Sequence, residues 1–411
     1  MPDIIPILDN FAQLIYILPP MQHIYLDHAA TTPVDHRVLE AMQPYFSEKY
    51  GNPSSLHFFG QEARKAIDAA RDIIATEIGC TSDEVIFVSG GTEANNFVLK
   101  GIAFARTQGE IITTPIEHHA ILEPLEFLEK RGFRVKILPV DKYGLVDPAD
   151  VKKAITKETI LVSVMHGNNE IGTIEPIREI AEVIRRRTKD EGRNIVFHTD
   201  AVQTFGYLPI KVDELNVDLM SVSAHKFYGP KGVGFLYIRK GTRLVRFMDG
   251  GAQEFGKRAS TQNVPGIVGL GKAVQLLGKE RSGRVAHARK LRDRLIAGIQ
   301  SKIADVVFNG HPEQRLPNNA AFCVTGVEGE SMVLNLDMER IAASTGSACS
   351  SGSLDPSHVL RAIGVDPVLA HGQVRFTLGN MNTEAEVDKV LEILPRIVEK
   401  LRRMSPLYKA K

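Results

Sequence analysis

The chain has 411 residues, of which 43% are hydrophobic and 24% charged, and its net charge is +1. Two domains are expected at this length, and the composition is typical of a soluble globular protein rather than a disordered one. The balanced charge gives no electrostatic reason to expect binding to nucleic acid or to an anionic membrane. Three cysteines, Cys80, Cys323 and Cys349, form neither a disulfide framework nor a metal-binding spacing, which favours a reducing, cytoplasmic setting.

The first twenty residues differ from the rest of the sequence. They are apolar from Ile4 to Leu18, but polar residues interrupt the run. The segment lacks a basic start and a cleavage-type ending, and it is too short to span a bilayer. We therefore expect residues 1–20 to be a dispensable extension, with Met21 as a second candidate start.

From Glu84 to Ile238 short β-rich runs alternate with amphipathic segments such as Ala120–Arg131 and Pro176–Arg187. This alternation predicts an α/β fold with a mostly parallel sheet and helices on both faces. The predicted strands are Val85–Val88, Ile111–Thr113, Val135–Val140, Ile160–Met165, Ile195–His198, Leu219–Val222 and Gly234–Ile238.

After Gly283 the pattern changes to a charged helix, Val285–Ile303, and short strands at Asn319–Val324 and Gln373–Leu378. A last helix follows the capping box at Thr383–Glu386. These features predict a smaller α+β domain with a boundary near residue 282. We assign residues 34–282 to a large domain, and residues 21–33 and 283–411 to a small domain that carries a cysteine loop at 344–355.

The stretch that ends in Lys226 is the most informative of the chain. An apolar run, Val217–Val222, predicts a buried strand, and Ser223, His225 and Lys226 follow it. In α/β folds ligands bind beyond the carboxyl ends of strands. A lysine there can form a Schiff base with a carbonyl group once its surroundings favour the neutral amine.

A second strand end carries the small residues of Ser89–Glu93, which open a predicted helix. Gly91 and Thr92 let the backbone approach an anion, and the N–H groups of a helix start suit a phosphate. Since the helix dipole contributes only about 0.3–2 kcal/mol, further donors are needed, and Ser223 and His225 are suitable.

Asp200 ends a third strand, with Gln203 three residues later. A carboxylate at a buried strand end needs a partner, and a protonated heteroaromatic nitrogen would provide one. Gln203 could then donate to a neighbouring ring oxygen. The alternative is that Asp200 caps the helix that follows its strand.

Three further residues complete a coherent set. His118 could stack on an aromatic ring and move protons near neutral pH, and Asn168 and Asn169 could donate to a ring oxygen or a carboxylate. Together with a lysine, an aspartate and a phosphate-binding helix start, they predict a pyridoxal phosphate site.

A second candidate site is the run Ser344–Ser353, whose small polar residues predict an exposed, mobile loop around Cys349. A thiol pKa near 8.5 leaves a few per cent thiolate at neutral pH, enough for a nucleophile. Arg375 lies between apolar residues of a predicted strand, where its guanidinium could hold a substrate carboxylate in a bidentate fork.

With these motifs the chain resembles the pyridoxal-phosphate-dependent cysteine desulfurases of the IscS/NifS type. The resemblance covers nearly the whole chain from Tyr25 to about Leu378, in order. Its matching stretches are Tyr25–Pro33, Gly51–Ser55, Ser89–Asn95, Glu117–His118, His166–Gly172, Asp200–Gln203, Ser223–Lys226 and Ser344–Ser350.

The resemblance implies the fold type I (aspartate-aminotransferase-like) architecture, a homodimer, and the cofactor pyridoxal 5'-phosphate. It implies that L-cysteine yields L-alanine and a persulfide on Cys349, with sulfur passed to an iron–sulfur scaffold protein and other acceptors. No resident metal is implied, although Cys349 can transiently ligate a cluster shared with a scaffold. The implied roles are the Schiff base for Lys226; ring contacts for Asp200, Gln203 and His118; phosphate contacts for Gly91, Thr92, Ser223, His225 and, from the other subunit, Thr261; and carboxylate contacts for Asn169 and Arg375.

Two positions depart from the family pattern. Gly167 stands where valine is usual, and His358 where an aromatic residue is expected. The first substitution is expected to loosen the wall of the pocket.

Other classes of protein explain less of the sequence. Another fold type I enzyme, an aminotransferase or a selenocysteine lyase, is the nearest alternative, but an aminotransferase gives Cys349 no role. A metal-dependent hydrolase could use the histidines near strand ends, yet HxH and HExxH spacings are missing. A nicotinamide dehydrogenase lacks its glycine motif, and a non-catalytic sulfur carrier would not need Lys226 or Asp200.

Overall fold

The structure is a computed structural model that describes residues 23–192, 194–346, 356–405 and 408. The predicted extension, residues 1–20, and Cys349 lie outside the described residues. None of the described helices is long and apolar enough to cross a membrane.

Strands and α-helices alternate strictly from β2 (Val85–Val88) to β7 (Leu219–Ser223). The strands are β1 (Ile24–Tyr25), β2 (Val85–Val88), β3 (Glu110–Thr113), β4 (Arg134–Ile137), β5 (Thr159–Ser163), β6 (Val196–Asp200), β7 (Leu219–Ser223), β8 (Gly234–Ile238), β9 (Val306–Phe308), β10 (Asn319–Val324), β11 (Ile341–Ala342) and β12 (Gln373–Thr377). The helices are α1 (His36–Met42), α2 (Pro44–Ser47), α3 (Phe58–Ile78), α4 (Gly91–Phe104), α5 (His119–Glu129), α6 (Pro148–Ala154), α7 (Ile177–Glu191), α8 (Val212–Leu215), α9 (Val264–Lys302), α10 (Gly329–Met338), α11 (His358–Ala362), α12 (Pro367–Ala370) and α13 (Glu384–Met404).

A seven-stranded sheet in the order β2-β8-β7-β6-β5-β3-β4 forms the centre of the molecule. The strands from β7 to β4 pair in parallel, while β8 is antiparallel to both of its neighbours. Because β7 and β8 are joined by the short turn 224–233, β8 must run opposite to β7. The prediction of a mostly parallel α/β sheet is confirmed.

Alternate residues of each strand face opposite sides of this sheet, and both sides are buried. Phe87, Val162 and Met220 belong to one hydrophobic cluster, which α3, α7 and the first half of α9 cover. Their neighbours Val88 and Leu161 belong to a second cluster, which α4 and α5 cover. Because successive side chains of a strand point to opposite faces, both faces of the sheet are apolar and are covered by helices, as predicted.

A separate hydrophobic cluster surrounds the three-stranded antiparallel sheet β12-β10-β9 and includes residues of α10 and α13. The second half of α9, from Leu291 to Ile299, packs into this cluster, whereas its first half packs against the large sheet. The helix is continuous through residue 282. The division into two domains near that residue stays a prediction.

Two predicted elements differ most from the structure. The strand predicted at Val135–Val140 ends at Ile137, because β4 pairs with β3 alone and this pairing stops at Thr113. The helix predicted at Val285–Ile303 begins much earlier, at Val264.

Candidate active site

The predicted cofactor and substrate residues meet at the carboxyl ends of β6 and β7. These strands are parallel neighbours, with Asp200 paired to Ser221, and a 3₁₀ turn at Ala224–Lys226 follows β7. A cavity of about 300 Å³ opens there. The predicted site residues that line it are Gly91, Thr92, His118, Asn169, Asp200, Gln203, Ser223, His225, Lys226 and Arg375.

Lys226 is held by the backbone of the segment before α1. Its Nζ donates to the carbonyl of Ala29 at 2.6 Å and to that of Ala30 at 2.8 Å. Among the described residues no second lysine lines the cavity. The geometry therefore fixes one amine beside the strand ends.

The start of α4 provides an anion-binding backbone. Gly90 precedes the helix without a side-chain cap, so N–H groups of the first turn remain for a ligand. Glycine is required at position 91, since a Cβ atom there would lie 2.8 Å from Cγ2 of Val202. Glu93 in the same turn is paired with Arg258 at 2.8 Å, which balances its charge close to the helix start.

His225 and Ser223 lie beside this helix start. Nδ1 of His225 is 3.1 Å from the hydroxyl of Thr31. Burial and the nearby Lys226 and Lys231 lower the pKa of His225 to about 4. The imidazole is therefore neutral at physiological pH and can still donate one N–H to an anion.

Asp200 is buried and has only neutral partners. Its Oδ2 accepts from Nδ2 of Asn95 at 2.6 Å, and its Oδ1 accepts from the backbone N–H of Val202 at 2.9 Å. The bond to Val202 shows that one oxygen stabilises the turn at residues 202–207, where the alternative interpretation expected a helix, while the carboxylate lines the cavity.

His118 caps helix α5 from the cavity wall. Its Nδ1 accepts from the backbone N–H of Ala120 at 3.0 Å, which places the proton of the neutral ring on Nε2. Burial lowers the pKa of His118 below its ordinary value, and Lys226 adds to this effect while Asp200 opposes it.

Gln203 keeps one donor for a ligand. Its Nε2 donates to the carbonyl of Ala29 at 3.0 Å, and the amide has a second N–H.

Arg375 is almost completely buried on β12. Its Nη1 donates to the carbonyls of Asn169 at 2.9 Å and Gly346 at 3.2 Å, and its Nη2 lies 2.8 Å from Oδ1 of Asp27.

The expectation that Asn168 donates to a ligand is wrong. Its side chain is used inside its own loop, where it donates to Ile116 and accepts from two backbone N–H groups.

The two departures from the family pattern have structural partners. A Cβ atom at Gly167 would lie 2.6 Å from Cγ2 of Thr204, so the threonine methyl already fills the space beside this glycine. The expected loosening of the pocket wall is therefore not seen at this position. His358 donates from Nε2 to the carbonyl of Glu117 at 2.9 Å and packs edge-to-face on His119.

Two buried histidines, His166 and His198, have hydroxyl partners that account for them. His198 lies between Ser163 and Ser221, at 2.9 and 3.0 Å, and His166 lies 3.0 Å from Thr204. Burial lowers their pKa values to about 3 and about 4, respectively. Since hydrogen bonds to hydroxyls already explain these rings, the hydrolase interpretation loses its principal ligands.

Thr261 is the one predicted cofactor residue that does not line this cavity. It lines a separate cleft of about 120 Å³, together with Glu254 and Arg258. The structure thus places it apart from the Lys226 site of its own chain.

Sequence reasoning missed the residues that support this site. Asn95 was quoted only as part of a motif, Asp27 was given no role, and the buried pair of Arg71 and Glu254 was not identified. A signal existed for Asp27 alone, because a charged residue between the apolar Leu26 and the small residues after His28 needs a partner.

Comparisons with known proteins agree over nearly the whole chain. Residues 24–390 match the model of the class-V aminotransferase family. A Dictyoglomus turgidum protein described as cysteine desulfurase IscS is 56% identical over 94% of this chain and 97% of its own length. A solved structure of a NifS-like protein is 40% identical, with a TM-score of 0.86 over 92% of this chain and 100% of its own. Another, described as SspA in complex with cysteine, is 36% identical, with a TM-score of 0.77 over 88% and 100%.

Proposed function

This chain belongs to the class-V aminotransferase family and is a cysteine desulfurase of the fold type I architecture, and from that premise we propose which residues carry the reaction. We propose that the cavity binds pyridoxal 5'-phosphate and L-cysteine, and that sulfur passes to Cys349. The observation that carries the proposal is that Lys226, Asp200 and the start of α4 line one cavity. A reactive amine, a buried carboxylate and an anion-binding helix start are the groups that this cofactor requires.

The helix start fits the phosphate group of the cofactor. The uncapped first turn of α4, with Gly91 and Thr92, would provide backbone donors, and Ser223 and the neutral His225 would add side-chain donors. The pairing of Glu93 with Arg258 supports this role, because an unpaired carboxylate in the first turn would repel a phosphate.

The environment of Asp200 fits the ring. A buried carboxylate with neutral partners at both oxygens favours a cationic ligand, and a protonated pyridine nitrogen is one. Lys226 would bond to the cofactor's aldehyde carbon, His118 would stack on the ring, and Gln203 would donate to the ring oxygen. Bound there, the cofactor supplies a ring that withdraws electrons from the bonds at the substrate's α-carbon.

His118 has the protonation state that proton transfer requires. Because its pKa is lowered, the ring is neutral at pH 7, and taking up a proton at Nδ1 requires release of the Ala120 N–H. A neutral imidazole beside Lys226 can therefore accept a proton in one step and return it in another.

We expect His118→Asn to keep the cap of α5, since asparagine is among the best residues at that position. Its kcat is expected to fall by about 10²–10⁴-fold, because the proton carrier is lost. In the wild type, the acidic limb of kcat against pH is expected below pH 6.5, since the neutral ring persists down to its lowered pKa. The measurements are alanine release as a function of pH and thermal unfolding of both proteins. An unchanged acidic limb in His118→Asn would contradict the role.

Arg375 and Asn169 are proposed to hold the carboxylate of L-cysteine. Both line the cavity, and the backbone carbonyls of Asn169 and Gly346 hold the guanidinium of Arg375. Cysteine as the ligand is supported by the related solved structure described as SspA in complex with cysteine.

Cys349 is proposed to accept the sulfur. Gly346 lines the cavity, and three residues span at most about 10 Å, so Cys349 is within reach of the substrate. Its Sγ attacks the substrate sulfur, the S–S bond forms, and the C–S bond breaks with its electron pair left on the substrate carbon, which takes up a proton. One cysteine and one thiol thus give one alanine and one persulfide, without an external oxidant.

Replacement of Cys349 by alanine is expected to reduce alanine release from L-cysteine, in the presence of a thiol reductant, to below a few per cent of the wild type. The other thiols cannot substitute, since burial raises the pKa of Cys80 to about 12 and that of Cys323 to about 11. Cys80→Ala is the matched control and should keep wild-type release. Undiminished alanine release from cofactor-loaded Cys349→Ala would contradict the role of Cys349 as the sulfur acceptor.

A homodimer is proposed from two surface features. Several large apolar side chains are exposed near the start of α3, among them Leu56 at 93% and Phe58 at 69%. Such a patch is typical of an interface. In the proposed dimer Thr261, which lies outside the cavity of its own chain, reaches the phosphate in the other subunit.

The proposed sulfur acceptors are an iron–sulfur scaffold protein and other sulfur-carrying proteins. The name IscS of the bacterial relative supports the assembly role. The cytoplasmic setting stays part of the proposal and is supported by the three cysteines without a disulfide framework.

A further inference from the structure

The carboxylate-binding arginine of the site already holds a carboxylate. Nη2 of Arg375 lies 2.8 Å from Oδ1 of Asp27, and the two side chains are 3% and 18% exposed. Asp27 is joined by a backbone bridge to Thr377, two residues along from Arg375. The pair is therefore built into the fold.

Asp27 reaches the guanidinium without lining the cavity itself. The residues that follow it, Ala29 and Ala30, line the cavity and accept the hydrogen bonds of Lys226. One short segment thus positions both the amine and the guanidinium.

The contacts of Arg375 leave two of its five N–H donors open. Nη1 donates to two backbone carbonyls, and Nη2 uses one of its two hydrogens for Asp27, whereas the buried Nε has no partner among the described residues. An arginine binds a carboxylate side-on through Nε and Nη2. An incoming carboxylate would therefore bind a guanidinium whose Nη2 already donates to Asp27, and would share that nitrogen with it.

The negative charge of Asp27 also affects the binding of a carboxylate ligand to Arg375. A buried guanidinium without a counter-ion is unfavourable, and Asp27 supplies the counter-ion in the empty site. When a substrate carboxylate binds, Asp27 becomes a second negative charge on the same cation and repels it. The pair thus stabilises the empty site and weakens the binding of the ligand.

We propose that Asp27 is a positioning residue that sets the affinity of the carboxylate subsite, by orienting Arg375 and by competing with the bound carboxylate for it. This inference rests on the proposed function of Arg375. L-Alanine keeps the carboxylate of L-cysteine, so a subsite of high affinity would retain the product. An interaction that binds the substrate and the transition state equally well lowers KM without raising kcat.

The test is Asp27→Asn in the cofactor-loaded enzyme, since asparagine keeps an oxygen acceptor for Nη2 and removes the charge. The inhibition constant of L-alanine is expected to fall about tenfold, while that of L-alaninamide, which has no carboxylate, changes by less than about twofold. KM for L-cysteine should fall in parallel, and kcat should not rise. The thermal shift produced by L-alanine should be larger in the variant than in the wild type.

Asp27→Ser also removes the charge and keeps an acceptor, and it serves as the second variant if Asp27→Asn does not fold. Equal changes for alanine and alaninamide, or weaker binding of alanine, would overturn the proposal. Arg375→Met tests the underlying function separately, since it should abolish the discrimination between the two ligands. If Arg375→Met keeps that discrimination, the carboxylate role of Arg375 is wrong, whatever Asp27 does.

Discussion

Replacement of Lys226 by alanine is expected to lower the rate of alanine release from L-cysteine by more than about 10⁴-fold. The variant loses the covalent attachment of the cofactor and a proton carrier together. Within the described residues no other lysine lines the cavity, so no second amine can take its place. The measurement is alanine formed per enzyme in the presence of added cofactor and a thiol reductant.

Two controls separate the chemistry of Lys226 from its charge. Lys226→Arg keeps a cation that can donate to Ala29 and Ala30, but its guanidinium does not form the bond to an aldehyde, so it should be as inactive as the alanine variant. Lys231→Ala removes an exposed lysine five residues away and should retain activity. Substantial activity in Lys226→Arg would show that a charge at this position suffices, and would contradict the assignment.

Short apolar strands that lie between turn residues were predictable from the sequence, whereas the glycine-rich first half of α9 was not. β2 and β8 have the predicted bounds, because both are short apolar runs between turns. The first half of α9 was missed, since its glycines locally disfavour a helix. Close packing of α9 against α1 and α3 explains why these positions are glycine. A Cβ atom at Gly269 would lie 2.6 Å from Sδ of Met42, and one at Gly271 would lie 2.7 Å from Cβ of Ala70.

The site shows the same limit. Asp200 and Lys226 could be selected from the sequence because the first ends a buried strand and the second follows one, at the edge of the sheet where ligands bind. Their supporting partners could not, because Asn95 is 105 residues from Asp200 in the chain, and Asp27 is 348 residues from Arg375. Only the topology of the sheet brings these pairs together, and no local spacing encodes it.

The pair of Arg71 and Glu254 is another such contact. The two side chains are 4% and 1% exposed, and Nη1 and Nη2 of Arg71 lie 2.8 and 3.0 Å from the carboxylate oxygens. Arg71 also donates to the carbonyl of Val85, and its guanidinium lies between the rings of Phe87 and Phe255 at 4.5 and 4.9 Å. The carboxylate in turn accepts from the N–H of Phe87 and from Gln262.

Glu254→Ala is expected to lower the free energy of unfolding by about 3–5 kcal/mol, because it leaves the Arg71 cation buried without a counter-ion. The measurement is a urea titration of the cofactor-free protein. The surface pair Arg294 and Asp388, at 45% and 51% exposure, is the matched control, and its disruption by Asp388→Ala should change the free energy of unfolding by about 0–1 kcal/mol. Equal effects of the two substitutions would contradict the assignment.

A double-mutant cycle distinguishes the pair from two independent side chains. If Arg71→Met removes the cation as Glu254→Ala removes the anion, the double variant should lose less free energy than the sum of the single losses, since no unpaired charge remains.

The pair also affects the candidate cofactor site, because a short segment joins Glu254 to Arg258 beside α4. Glu254 and Phe255 have φ angles of 44° and 57°, a conformation that persists only where contacts hold it. The same segment continues to Arg258, which pairs with Glu93 at the start of α4, so Glu254→Ala should also weaken the retention of pyridoxal phosphate during dialysis.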